Sequence, residues 1–110
     1  MATGASESKG GAFEFAVSSP ERCTARGALT FATARRARTL GLNAQRAAAK
    51  SFVIDCGEIR QADSAGLAVL LDWLAEARRA GKALHFERLP EGLLRLARIS
   101  AVDGMLQQGV

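Results

Sequence analysis

The sequence predicts an α/β fold built as one small domain, on three observations. Strand-like and helix-like segments alternate in the order β-β-α-β-α-β-α, which implies parallel strand pairs with right-handed crossovers. Phe52-Val53-Ile54-Asp55-Cys56 is a short, nearly continuous apolar run rich in β-branched residues, the pattern of a buried central strand in a largely parallel sheet. The 110 residues, 48% of them apolar, suffice for one core. With five Phe, one Trp and no Tyr, that core must be built mainly from Leu, Ala, Val and Ile.

Residues 1–11 are small and polar and read as a flexible tail, which leaves 12–110 as the domain. Phe13 to Val17 alternates apolar and polar residues and reads as a strand, with a turn at Ser18, Ser19 and Pro20. Arg22 to Leu29 reads as a second strand, where Gly27 either weakens the strand or marks a close backbone approach. Thr30 or Thr33 can cap the Ala/Arg-rich helix that follows. Gly41 and Asn43 disturb that helix, so it ends near Leu40 or continues to about Ala48. After the strand at Phe52–Cys56, residues 57–63 read as a loop.

Ser64 to about Ala80 is the clearest helix. Gly81 stands just past its end, and Arg78 and Arg79 in its last turn suit the helix dipole. Ala83 to Arg88 alternates as a fourth strand. Pro90 opens a helix whose apolar face is Leu93, Leu94, Leu96, Ala97 and Ile99. Ala101 to Leu106 reads as a last short helix packing Val102, Met105 and Leu106.

The net charge of +4 is uneven. Residues 1–50 hold eight Lys/Arg against three Asp/Glu, and residues 51–110 hold seven against eight. The excess centres on Arg35, Arg36 and Arg38, a pattern met most often on a solvated helix face. No aromatics are interleaved with these arginines and no reader motif is present, so nucleic acid is not an expected partner. No run is long and apolar enough to span a bilayer, and no secretory signal pattern opens the chain. The expected location is cytoplasmic. Cys23 and Cys56, each in an apolar strand, are expected as free thiols.

The stretch Asp63-Ser64-Ala65-Gly66-Leu67 is the most informative. Ser64 follows a buried strand and a loop and opens a helix, so its hydroxyl is expected to cap that helix. The same position is a natural place for a phosphate. Ala65, Gly66 and Ala68 keep the first turn low, so a partner can approach closely. Asp63 is expected to orient the loop through backbone N–H groups. On this helix Leu67, Leu70, Leu71, Leu74 and Ala77 share the core face. Val69 and Trp73, spaced i and i+4, lie on a flank. Two readings stay open for Trp73: burial under a neighbouring loop of its own domain, or an exposed anchor for a partner.

The strand-loop-helix stretch from Val53-Ile54-Asp55-Cys56 through Asp63-Ser64-Ala65-Gly66-Leu67 resembles the signature of the STAS domain family. The run Gly27-Ala28-Leu29-Thr30-Phe31-Ala32-Thr33-Ala34 is similar to the branch that serves phospholipid-transporting ABC complexes of the Mla type. So are Ala80-Gly81-Lys82 and Leu89-Pro90 before a Leu-rich helix. The resemblance spans about Phe13 to Leu106. It implies a mostly parallel four-stranded sheet with an antiparallel edge contribution and helices packed largely on one side. It also implies docking around the signature hydroxyl, which matches Ser64. In one branch, the anti-sigma factor antagonists, that residue is phosphorylated; in the Mla-type branch it lies at the contact with the ATPase subunit. The candidate partner-binding set is therefore Asp63, Ser64, Ala65, Gly66, Ala68, Val69 and Trp73, with Ser64 also the candidate phosphorylation site. The implied partner is the ATPase subunit of an ABC transporter, with membrane contact only through a permease.

Catalytic chemistry is thin. His85 is the only His and stands in an alternating strand, so no triad forms. Asp55 and Asp63 have no ligand-bearing neighbours at metal spacing. No phosphate-cradling glycine motif is present. No cofactor, metal, catalytic residue or small-molecule substrate is expected.

Overall fold

The computed structural model describes residues 12–109; the expected tail lies outside them. β1 (Phe13–Ser19) and β2 (Arg22–Leu29) form an antiparallel pair. They are followed by α1 (Ala34–Arg46), β3 (Ser51–Ala62), α2 (Ser64–Arg79), β4 (Ala83–Glu87), α3 (Glu91–Ile99) and α4 (Asp103–Gln108). The sheet order is β1-β2-β3-β4, with β2–β3 and β3–β4 parallel. This is the predicted α/β architecture: one antiparallel edge strand on an otherwise parallel sheet.

The two-residue side-chain period of the strands separates two faces. Phe13, Cys23, Ala25, Phe52, Ile54, Cys56 and Leu84 are buried with the helices. The opposite face carries Glu14, Thr24, Arg26, Asp55, His85 and Glu87. There Asp55 is buried inside an ion cluster. Arg88 donates to it from both Nε (3.0 Å) and Nη2 (2.6 Å), and the Gly57 N–H donates at 2.9 Å. Arg88 ends the strand at a φ of 55°, in the left-handed region, so the fourth strand stops at Glu87.

Several boundaries differ from the sequence reading. β1 continues to Ser19, and the turn falls at Pro20 and Glu21. β3 does not stop at Cys56: residues 57–62, read as loop, are strand. Pairings Arg26 with Glu58, Gly27 with Ile59 and Leu29 with Ala62 hold them, across two register shifts. Of the two ends open to α1, the longer holds: it runs through Gly41 and Asn43 to Arg46. Lys82 binds the chain at that end, its ammonium donating to the carbonyls of Gln45 and Ala48. Thr33 occupies the N-cap position but makes no side-chain cap: its hydroxyl donates to Ala28 O at 2.7 Å and accepts from Thr30 N–H at 3.0 Å. Ile99 and Met105, expected to pack inward, are exposed, whereas Leu93, Ala97 and Leu106 are buried. Gly27 marks a close backbone approach, to the carbonyl of Ala12.

The α1–α2 seam settles the place of Trp73. Its side chain is fully buried against Gly41, where a Cβ would collide with the indole ring. The ring meets Phe15 edge-on with centroids 5.5 Å apart, and its Nε1 donates to Arg38 O at 3.3 Å. Gln45 Nε2 donates to Trp73 O at 2.9 Å, tying the two helices again. Among the described residues no helix is long and apolar enough to cross a membrane.

Candidate functional site

The start of α2 lies where β3 ends beside the β2–α1 loop. The cap there is Asp63, not Ser64. Asp63 Oδ1 accepts from the N–H groups of Ala65 (2.9 Å) and Gly66 (3.1 Å), in the geometry of an N-cap. Its Oδ2 accepts from the N–H of Phe31 at 3.0 Å, which fastens the neighbouring loop to the helix start. These donors, led by Phe31, hold the Asp63 carboxyl below the usual carboxylate range. Asp63 therefore orients the loop, as expected, and also takes the capping role expected of Ser64.

Ser64 is the first residue of α2 and is exposed. Ala68, one turn on, is exposed too, and Ala65 is half-buried. Gly66 is buried, and a Cβ there would strike the carbonyl of Leu29, so this helix turn seats directly on the end of β2. The first turn is low because its small residues let backbone meet backbone. Leu67, Leu70, Leu74 and Ala77 form the buried face as predicted, and Leu71 is half-buried.

The structure brings together Asp63, Ser64, Ala65 and Ala68 on one surface, with Gly66 beneath them. It does not bring Val69 or Trp73 there. Both are buried, at 3% and 0% exposure, so the reading of Trp73 as an exposed anchor is corrected. The i and i+4 flank they form faces α1 rather than solvent. A different aromatic takes the exposed position: Phe31 is 84% exposed, at the backbone position bound by Asp63. Its place inside the Gly27–Ala34 run was the available signal. Beside this surface an open cleft of about 470 Å³ is lined by polar Thr30, Arg60, Gln61 and Asp63 and by apolar Ile59, Pro90 and Leu93 among others.

Other chemistry-bearing groups lie elsewhere. His85 is exposed. Cys23 and Cys56 are buried free thiols, and burial pushes Cys56 up to about 12. Among the described residues no group of three or more His, Cys, Asp or Glu is placed to hold a metal ion.

An open charged sheet face, a helical layer on the other side and a low, capped helix start define a small α/β domain. The family model described as "Mlab, STAS domain" matches residues 16–107, and the chain belongs to the STAS domain family. Its fold is shared by the anti-sigma factor antagonist SpoIIAA, solved in its unphosphorylated form. The TM-score is 0.66, with 16% identity over 84% of each chain. No curated protein sequence matches this chain.

Proposed function

We propose that this chain is a non-enzymatic accessory subunit that binds the ATPase subunit of a phospholipid-transporting ABC complex maintaining outer-membrane lipid asymmetry. It acts in the cytoplasm and reaches the inner membrane only through its partners, the permease among them. The single observation that carries the reading is the start of α2. Asp63 supplies the cap and leaves Ser64 exposed on a low surface of Ala65 and Ala68. A low, small-residue helix start lets a partner backbone approach at short range. The Mlab description of the matching family model supports the choice of partner. The test is co-purification with a full set of transporter subunits. A complex that assembles and hydrolyses ATP equally well without this chain contradicts the proposal.

A second reading is favoured by one observation: the exposed residue at this helix start is a serine. A phosphate there would meet the positive end of α2 and switch docking off, as in an anti-sigma factor antagonist. Incubation with candidate partner kinases, followed by mass spectrometry of Ser64, decides it. An unmodified Ser64 under those conditions counts against the switch.

A further inference from the structure

We infer that Phe31, with Arg35 four residues on in the first turn of α1, anchors this docking surface by entering an apolar pocket on a protein partner that is rimmed by acidic residues. The inference rests on the reading of the α2 start as the docking face. Phe31 is the largest and most exposed of the exposed large apolar side chains, at 84%. Its backbone is nonetheless fastened. Phe31 N–H donates to Asp63 at 3.0 Å, and the preceding Thr30 N–H donates to Thr33 Oγ1 at 3.0 Å. A solvent-facing aromatic on a clamped loop has few conformations to lose on binding, which is how a preorganised hot-spot residue is built.

Charge identifies the partner. α1 carries Arg35, Arg36, Arg38 and Arg46 and no acidic residue. Arg38 is paired with Asp72, and Arg36 reaches the Phe13 carbonyl. Arg35, Arg36 and Arg46 are exposed and have no acidic partner among the described residues, and Arg35 is the one four residues on from Phe31. Arg35 and Arg36 also stand in the first turn of α1, where a cation opposes the helix dipole. An acidic surface against this turn relieves that conflict. The first turn of α1 offers two arginines without an acidic partner, Arg35 and Arg36, fewer than the cluster of about four to eight cations that holds a segment on an anionic bilayer. A protein pocket suffices with one anchor.

The experiment titrates the full chain against the ATPase subunit found by the co-purification above. Phe31→Ala weakens binding by about 30-fold, and Phe31→Leu recovers part of it. Arg35→Glu weakens binding at low salt, and the defect shrinks at about 1 M salt, where the Debye length is short. Each variant melts like wild type, because the replaced side chains are exposed. If Ser64→Asp abolishes binding while Phe31→Ala binds like wild type, the anchor is wrong and the docking face stands. If wild type itself fails to bind, the docking reading falls and the anchor with it. Phe31-dependent binding to vesicles of anionic phospholipid, or Phe31-dependent dimerisation in sedimentation, with unchanged ATPase binding, overturns the inference in favour of a bilayer or a second copy.

Discussion

The carboxylate of Asp63 joins two segments 32 residues apart: it accepts from the Phe31 N–H at 3.0 Å while capping α2 through Ala65 and Gly66. One side chain thus fixes the exposed aromatic and the helix start relative to each other. Asp63→Ala should remove the cap and free the loop, costing about 1–3 kcal/mol. Ser64→Ala, which leaves the cap intact, should stay within about 0.5 kcal/mol of wild type. Urea melts of both variants check this. Equal losses would show that Ser64 shares the capping after all.

The α1–α2 seam gives a second prediction. Leu70→Ala and Leu74→Ala each remove a buried side chain and should cost roughly 2–5 kcal/mol. Gly41→Ala should also destabilise, although alanine is the better helix former by about 1 kcal/mol. The added methyl has no room beside the rigid indole of Trp73. A rise in melting temperature for Gly41→Ala would mean that the two helices can separate without cost.

That seam also explains what the sequence could and could not reveal. The buried strand at Phe52, the bounds of β2 and the start and stop of α2 follow from local pattern, and they stand where expected. The second half of β3 was illegible. Gly57, Glu58, Arg60 and Gln61 are polar or flexible, and only pairing with β2 across register shifts makes them a strand. Asp and Ser are equally good caps, so local pattern does not choose between neighbours; the long-range contact to Phe31 decides for Asp63. The burial of Trp73 depends on which helix faces it. The one local hint was a glycine inside α1, costly there unless something packs against it.

The cysteines should be inert in the native protein. Cys56 is held as a thiol up to about pH 12 by desolvation and by the Asp55 charge, and burial also raises Cys23. Alkylation without reductant should add no label quickly under native conditions and two labels in denaturant. No label in denaturant would mean the thiols are already oxidised.

Stability should fall in acid. Asp55 is held below the usual carboxylate range first by Arg88, and Asp63 by Phe31. A lowered native pKa stabilises the fold fully above the unfolded value of about 3.9 and progressively less as pH falls through the native value. Wild type should therefore lose stability below about pH 4. Asp63→Asn and Asp55→Asn should each start from a lower plateau and show a shallower acid limb in urea melts taken at successive pH values. Parallel limbs would place the acid sensitivity elsewhere.

The last prediction concerns a negative charge at the proposed docking surface. Ser64 is exposed at the positive end of α2, where a carboxylate is favoured by about 0.3–1 kcal/mol in the isolated domain. Asp63 already holds the cap, so the gain in Ser64→Asp should be at the small end and folding should be unchanged. Against a partner the balance reverses. A closely packed surface strips water from the new charge, which costs several kcal/mol unless a cation meets it. An acidic partner surface, which Arg35 and Arg36 favour, offers no such cation and adds repulsion. Ser64→Asp should therefore melt like wild type and bind the ATPase subunit far more weakly. Ser64→Ala should do neither harm, because it removes no cap and adds no charge. Thermal melts beside a pull-down of both variants make the comparison. If Ser64→Asp binds as well as wild type, the start of α2 is not the docking surface, and the exposed Ile99 and Met105 on the last two helices become the next surface to test.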